Sequence, residues 1–329
     1  MMFLGIDGGG SRLRATLISH AGEVLGAGEA GKGNPKAVGP GAVRSAMLRA
    51  TADAWKGAGV DPRPADGAFM GLAGVASEGE RRAFKQIGLE LELAPVGQLR
   101  VDHDLRIALA GGLAGRPGIV IVAGTGSASF GRMEDGRSGR SGGWGWRIDD
   151  PGSAFWLGVR ALRAVARSAD GRGRATVLTE RVLEFLELDD VLNLPTRLHV
   201  GSGMERDEIA ALAPLLVAAA EKGDGVAVEI LREGCDELAV MAAATAESLR
   251  VSSEPIEVVL VGGVGCSGEL VFEFVREALT RVLPSALLRR PMLPPVIGAC
   301  LLAAEFNGLM MDRKVVDRLR STWNGPAAG

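Results

Sequence analysis

The feature that most constrains the fold is a glycine-rich turn that joins two strands. Residues 3–7 form a short apolar run, Gly8-Gly9-Gly10-Ser11 follows, and residues 12–18 alternate as a strand does. Glycine permits positive φ and close approach of a ligand, so the N–H groups of such a turn can cradle phosphate oxygens. No helix follows, and Leu13 stands where a dinucleotide-binding fingerprint needs its last glycine. The sequence therefore predicts a phosphate-binding β-hairpin.

The same succession of apolar strand, small-residue turn and returning strand recurs later in the chain. Residues 119–122 are apolar, Gly124-Thr125-Gly126-Ser127 form the turn, and residues 128–133 return. A third turn, residues 262–265, follows the apolar run 256–261. One glycine turn is weak evidence for a ligand, but three at strand ends, two of them ending in serine, favour phosphate binding.

A fourth glycine-rich stretch is a false match to the Walker pattern. Residues 26–33 read G-A-G-E-A-G-K-G, but Gly33 replaces the required hydroxyl residue. Asn34-Pro35 follows where the helix of a Walker loop should begin. A phosphate hairpin between strands is instead typical of ATP-binding proteins of the actin and hexokinase type.

Hydrophobic periodicity predicts two similar α/β domains. The first part has the order βββαβαβ followed by a helix, and several helices follow the second glycine turn. The predicted helices cover residues 43–55, 81–91, 105–113, 153–167, 176–188, 207–222 and 225–249. We predict an N-terminal domain over 1–117 and a C-terminal domain over 118–329. A cleft is expected between them, with the last helix able to pack back on the first domain.

Composition narrows the classes of function. Lys and Arg total 37 against 40 Asp and Glu, and a net charge of −3 argues against a nucleic-acid binder. The longest apolar run, residues 209–220, contains Pro214 and is too short to cross a bilayer, and no signal peptide is visible. Cys235, Cys266 and Cys300 are too far apart for a disulfide framework or a zinc site. These patterns predict a cytoplasmic protein with no membrane or nucleic-acid partner.

Four motifs occur in a recognisable order along the chain. They are Asp7-Gly8-Gly9-Gly10-Ser11, Asp104, Gly124-Thr125-Gly126-Ser127, and G-G-W-G-W-R-I-D-D-P-G-S-A at residues 142–154. Together they resemble the N-acetylglucosamine kinase family, within the group that also contains ATPase activators of benzoyl-CoA reductase and hydroxyacyl-CoA dehydratases. The resemblance extends from residue 3 to about residue 305, and its last motif is long and specific.

The resemblance implies two ribonuclease-H-like domains of the actin and hexokinase type, with Mg-ATP and a sugar in the cleft between them. It implies that Gly9, Gly10 and Ser11 contact the ATP phosphates, and that Asp7 lies near Mg²⁺ with water between them. The other ATP-binding residues that it implies are Gly124, Thr125, Gly126, Ala210, Gly263 and Ser267.

Asp104 matches the catalytic base of the family. Transfer of phosphate to a primary alcohol requires a group that orients the hydroxyl and accepts its proton, and a carboxylate can do both. Asp102 is the competing candidate. Asp104 is favoured because the small-residue helix expected after the base starts at Leu105, and Asp102 is then a candidate cap for that helix. The sugar contacts implied by the resemblance are Asn34, Asp104, Gly143, Trp144, Gly145 and Asp150.

The function that the resemblance implies is phosphorylation of N-acetylglucosamine or glucosamine at the 6-hydroxyl by a homodimer. N-acetylmuramic acid and N-acetylmannosamine stay open as substrates. An activator ATPase would need cysteines to hold a bridging iron–sulfur cluster, and the second glycine turn has none. A non-catalytic sugar sensor is the third class. Because the first strand starts at Phe3, we expect no DNA-binding module before it.

Overall fold

The structure, a computed structural model, describes residues 1–201, 203–309 and 312–325. The described residues form two compact units: Met1–Gly118 together with the segment that starts at Arg290, and Ile119–Arg289. The predicted first domain, 1–117, ends one residue before this division. The segment after Arg290 was included in the predicted range 118–329, and it groups with the first unit because a helix in it packs against the first sheet.

The first unit contains a five-stranded mixed sheet. Its strands are β1 (Met2–Gly8), β2 (Leu13–Ser19), β3 (Val24–Ala30), β4 (Gly67–Leu72) and β5 (Leu99–His103). Their order is β3-β2-β1-β4-β5, in which β1 to β3 pair antiparallel and β1, β4 and β5 pair parallel. The register aligns Asp7 with Gly71 and Gly71 with Asp102. The carboxyl ends of the three parallel strands therefore share one edge of the sheet.

The second unit repeats this strand order. Its strands are β6 (Gly118–Ala123), β7 (Ser127–Arg132), β8 (Ser138–Gly142), β9 (Ile256–Val261) and β10 (Ala286–Arg289). Their order is β10-β9-β6-β7-β8, so the first strand of each unit is central and the next two follow on one side. β6 and β10 both pair parallel with β9. The predicted recurrence of strand, glycine turn and returning strand is confirmed.

The helices cover the faces of the two sheets. They are α1 (Pro35–Val38), α2 (Pro40–Gly57), α3 (Glu78–Glu90), α4 (Asp104–Gly112), α5 (Ala154–Ala169), α6 (Leu178–Phe185), α7 (Leu194–His199), α8 (Arg206–Ala210), α9 (Ala213–Glu221), α10 (Gly225–Ser248), α11 (Glu269–Val282), α12 (Pro295–Glu305) and α13 (Arg313–Thr322). Within the described ranges, no helix combines the length and the apolar character needed to cross a membrane.

The single helix predicted over residues 207–222 is wrong. The structure divides this stretch into α8 and α9, which are separated at residues 211–212. Pro214 lies in the first turn of α9, where its missing N–H costs nothing, whereas in the interior of a longer helix it would break a hydrogen bond.

The glycines of the false Walker match serve helix packing. Gly26 and Gly28 lie in β3, and a Cβ on them would come within 2.1 Å of the Ala54 carbonyl oxygen and 2.2 Å of the Ala50 carbonyl oxygen. Both carbonyls belong to α2. The stretch 26–33 therefore includes the surface on which α2 packs and is not a phosphate-binding loop.

Close backbone contacts also join α12 to α4 and β1. A Cβ on Gly298 would lie 2.1 Å from the Ile107 carbonyl oxygen, and one on Gly111 would lie 2.6 Å from the Pro294 carbonyl oxygen. On the sheet, a Cβ on Gly5 would lie 2.4 Å from the Val296 carbonyl oxygen. The first residue of α4 is Asp104, so this packing fixes the position of the helix that carries the Asp104 carboxylate.

We predict that Gly298→Ala destabilises the protein by about 1–3 kcal/mol, because the added methyl group has to push α12 away from α4. Urea unfolding followed by circular dichroism measures this change. Gly79→Ala is the matched control, since Gly79 lies in α3 and a Cβ there meets no atom within 4 Å. The control should be neutral or stabilising by up to about 1 kcal/mol. Equal losses for the two variants would contradict the packing argument.

Candidate functional site

The first glycine turn is anchored on one side and open on the other. The Gly9 N–H donates to the Arg12 carbonyl at 2.9 Å, which closes the turn between β1 and β2. The Gly33 N–H donates to the Gly9 carbonyl at 2.9 Å, and a Cβ on Gly33 would lie 2.3 Å from the Gly8 Cα. A Cβ on Gly10, by contrast, would meet no atom within 4 Å. The turn is therefore held in place while leaving space for a ligand.

Two carboxylates lie close together at this edge of the first sheet. Asp7 is near the end of β1, and Asp104 follows β5 as the first residue of α4. Burial and repulsion from Asp104 raise the pKa of Asp7 to about 7, although Arg14 opposes this rise. The paired carboxylates would be stabilised by a cation.

The carboxylate pair is suited to Mg²⁺ that also binds phosphate and water. Over the described part of the chain, no three side chains of His, Cys, Asp or Glu converge on a metal position. Mg²⁺ in nucleotide sites commonly uses only one or two carboxylates and completes its shell with phosphate oxygens and water. Asp7, with Asp104 beside it, fits that description.

Asp102 is committed to ion pairs instead. Its Oδ1 accepts from Arg81 Nε at 3.1 Å, and its Oδ2 accepts from Arg106 Nη1 at 2.9 Å. Burial alone would raise the pKa of Asp102, but His103, Arg106 and the His103 N–H outweigh burial and lower it. The expectation that Asp102 caps α4 is wrong, because α4 begins at Asp104 after His103 and the Asp102 carboxylate is held by the arginines.

Asn34 lies beside the loop that follows β4. It is the N-cap of α1, and its Oδ1 accepts from the Lys36 N–H at 2.9 Å. A Cβ on Gly74 would lie 2.6 Å from the same oxygen. The structure thus gathers Asn34, Asp7, Asp104 and the first glycine turn at the carboxyl edge of the first sheet.

The second and third glycine turns lie side by side in the second unit. The N–H groups of Val264 and Gly265 both donate to the Ala123 carbonyl, at 2.9 and 3.1 Å. The Ala154 N–H, at the start of α5, donates to the Gly124 carbonyl at 2.8 Å. This proximity follows from the parallel pairing of β6 and β9, whose carboxyl ends share one edge.

The predicted nucleoside residues divide between this edge and α8. Ser267 donates its hydroxyl to the Val264 carbonyl at 2.6 Å, so it helps close the third turn, in which Gly263 also lies. Ala210 is the buried last residue of α8.

The loop at residues 142–153 holds one buried carboxylate and two exposed indoles, of which that of Trp144 is the more exposed. Gly142, Gly143 and Gly145 have φ of +71°, +70° and +94°. A residue with a side chain would be strained at these angles. Trp144 is 69% exposed, whereas Trp146 packs edge-to-face on Phe155. The loop is thus tied down at Trp146 while Trp144 faces solvent.

Asp150 is the buried carboxylate of this loop. Its Oδ1 accepts from the Gly145 N–H at 3.1 Å, and its Oδ2 lies 3.4 Å from Arg206 Nη2. Burial raises the pKa of Asp150, although Gly145 and Arg206 both oppose the rise. Arg206 was not among the predicted residues, since 56 positions separate it from Asp150 and no local pattern links them.

The strand order, present twice with a glycine turn after the first strand of each unit, defines the ribonuclease-H-like fold found in proteins of the actin and hexokinase type. A sequence model of the BadF/BadG/BcrA/BcrD ATPase family matches residues 4–303, and the chain belongs to this family.

Relatives and solved structures agree with this assignment. The chain is 36% identical over 214 residues to the N-acetylmuramic acid/N-acetylglucosamine kinase of Clostridium acetobutylicum, covering 64% of this chain and 69% of that protein. It is 27% identical over 311 residues to the N-acetyl-D-glucosamine kinase of Dictyostelium discoideum, covering 92% and 97%. A solved candidate N-acetylglucosamine kinase from Chromobacterium violaceum has a TM-score of 0.69 at 28% identity, covering 92% and 98%. The resemblance seen in the motifs is confirmed.

We predict that Asp7→Asn and Asp102→Asn change the pH dependence of stability in opposite senses. Folded Asp7 keeps its proton to about pH 7, against an ordinary value of 3.8, so the wild type loses stability as pH rises through that interval. Asp7→Asn removes this loss of stability. The stability of the variant relative to the wild type should therefore increase as the pH is raised to 8. Folded Asp102 has a lowered pKa, so its contribution is present at neutral pH and is lost on acidification.

Thermal unfolding in magnesium-free buffer from pH 4 to 8 measures both dependences. Asp102→Asn should be less stable than the wild type at pH 7, with a deficit that shrinks as the pH falls. Parallel curves for wild type and Asp7→Asn would show that the Asp7 carboxyl titrates normally.

Proposed function

We propose that this protein is an ATP-dependent sugar kinase that transfers the γ-phosphate of Mg-ATP to the 6-hydroxyl of N-acetylglucosamine or glucosamine. The observation that supports this best is the carboxylate pair, Asp7 and Asp104, beside an anchored glycine turn at one sheet edge. The relatives from C. acetobutylicum and D. discoideum, both named as kinases of N-acetylated amino sugars, support the same substrate class.

Asp104 is the general base in this proposal. As the sugar hydroxyl oxygen bonds to the γ-phosphorus, its O–H bond breaks and the proton passes to the Asp104 carboxylate. The bond from phosphorus to the β,γ-bridging oxygen breaks, and ADP leaves with those electrons. Asp102 is a poor alternative, because Arg81 and Arg106 stabilise its charge and so weaken it as a proton acceptor.

The glycine turns bind the phosphates of ATP through their N–H groups and the Ser11 and Thr125 hydroxyls. Bound Mg²⁺ would offset the phosphate charge, with Asp7 holding it through water. The phosphate-binding residues in this proposal are Gly9, Gly10, Ser11, Gly124, Thr125 and Gly126. Those assigned to the nucleoside are Ala210, Gly263 and Ser267.

The sugar contacts in this proposal combine polar side chains, one indole and two glycines. Their polar groups are the Asn34 amide and the Asp104 and Asp150 carboxylates, which match the hydroxyl-rich edge of a sugar. Trp144, with its exposed indole, offers an apolar face for the sugar ring or its acetyl group. Gly143 and Gly145 complete the set with their main chain. A cytoplasmic homodimer remains part of the proposal.

No observation favours the activator ATPase or the sugar sensor over the kinase. Cys235 and Cys300 are buried, and burial raises the pKa of Cys235 to about 12 and that of Cys300 above its ordinary value. Such thiols are poor cluster ligands. Cys266, which is exposed, lies after the third glycine turn and not in the second.

The decisive experiment measures ATP consumption with Mg²⁺ against glucosamine, N-acetylglucosamine, N-acetylmuramic acid, N-acetylmannosamine and glucose. We expect turnover with an amino sugar, and ³¹P NMR of the product should place the phosphate on O6. Asp104→Asn should lower kcat by about 10²–10⁴-fold, the usual contribution of a general base.

Asp102→Asn is the matched control, since it makes the same chemical change two residues away. It should retain far more turnover than Asp104→Asn. Turnover that survives in Asp104→Asn and disappears in Asp102→Asn would transfer the base role to Asp102. No sugar-dependent turnover by the wild type would refute the kinase, and iron in the purified protein would then indicate an activator.

A further inference from the structure

One arginine connects the buried carboxylate of the 142–153 loop to α8. Arg206 is the first residue of α8, and its Nη2 lies 3.4 Å from Asp150 Oδ2. The other carboxylate oxygen is held by the Gly145 N–H. Each Asp150 oxygen therefore has a protein donor. The side chain is 5% exposed, so it has little contact with bulk water.

This ion pair rests directly against the second glycine turn. A Cβ on Gly126 would lie 2.9 Å from Asp150 Oδ2 and 3.0 Å from Arg206 Nη2. The Nε of Arg206 is buried and has no hydrogen-bond partner in the described structure. A side chain larger than glycine at position 126 would therefore displace the Asp150 carboxylate or the Arg206 guanidinium.

We propose that Arg206 is a positioning residue for sugar binding: its guanidinium keeps the Asp150 carboxylate charged and holds Oδ2 in place to accept sugar hydroxyls. The inference rests on the proposed kinase function, in which Asp150 contacts the sugar. A buried carboxyl that lacks a cation takes up a proton, and the protonated group has fewer acceptor sites for hydroxyl donors.

Arg206 is the cation that opposes protonation of Asp150. Burial raises the pKa of Asp150; the Gly145 N–H, Arg206 and the Ser127 N–H lower it, and Asp149 adds a small repulsion. The second glycine turn, G-T-G-S, and the first turn of α5, A-F-W-L, bring no charged side chain. Without Arg206, only the N–H groups of Gly145 and Ser127 would lower the pKa of Asp150, while burial and Asp149 would still raise it.

The direct test titrates the Asp150 carboxyl by ¹³C NMR in the full chain labelled at aspartate Cγ. Asp150→Asn assigns the resonance. We expect the pKa of Asp150 to rise by about one unit or more in Arg206→Met, because a nearby positive charge is lost. Arg206→Lys, which keeps the charge, should restore a value near that of the wild type. This measurement needs neither ATP nor sugar.

The kinetic test separates sugar binding from nucleotide binding. Arg206→Met should raise the KM for the sugar by about ten- to a hundredfold, the usual worth of a hydrogen bond to a charged group. The KM for ATP should stay at the wild-type value. As the pH is lowered, the kcat/KM for the sugar should begin to fall at a higher pH in Arg206→Met than in the wild type.

Arg197→Met is the matched control, since the nearby Arg197 pairs with Glu208 at 2.7 Å, whereas Arg206 is the arginine paired with Asp150. It should leave both the Asp150 titration and the sugar KM unchanged. An Asp150 titration that does not respond to Arg206→Met would overturn the proposal. So would a rise in the KM for ATP in place of that for sugar. Failure of the wild type to phosphorylate any sugar would refute the kinase function and, with it, the sugar role of Arg206, whatever the titration shows.

Discussion

The burial of Asp7 beside Asp104 at the edge of the first sheet is the constraint on which the candidate site depends. Asp7 lies in β1 and Asp104 directly follows β5; β4 separates these strands, and the parallel register brings their carboxyl ends to one edge. Burial and the proximity of Asp104 disfavour the charged form of Asp7, and a shift of the backbone would relieve both if the backbone could yield. It cannot readily do so, because Gly5, Gly111 and Gly298 bring β1, α4 and α12 into direct backbone contact. A cation at this edge would stabilise the charged forms of both carboxylates.

The two units share a strand order but use it differently. In the first, the edge carries carboxylates, and the neighbouring Asp102 is neutralised by Arg81 and Arg106. In the second, the edge carries two adjacent glycine turns, and the buried Asp150 is held by an arginine from a helix. The same arrangement of strands thus places paired carboxylates at the edge in one unit and adjacent glycine turns at the edge in the other.

Sequence reasoning succeeded where the signal was local. β1, β6 and β9 are apolar runs that end in glycine turns, and such runs are readable without any tertiary information. β8 has the sequence S-G-R-S-G and β10 has only four residues, so neither shows alternation. The helix that returns to the first unit, α12, is buried along nearly its whole length and lacks the periodicity that marks a surface helix. Arg206 was missed because its partner is 56 positions away in the chain. The ion pair of Asp102 with Arg81 joins residues 21 positions apart, whereas its pair with Arg106 joins residues only four apart and lay within reach of a local pattern.

The return of the chain to the first unit after Arg289 has a consequence for biosynthesis. Residues 119–289 are contiguous, so all of the second unit leaves the ribosome before the last segment of the first unit is synthesised. Until α12 emerges, β1 lacks the helix that covers Gly5, and α4 lacks the partner that fits Gly111. The part of the protein that is synthesised first is therefore the last to reach its final packing, and a nascent chain stalled before residue 295 exposes an uncovered sheet face to chaperones.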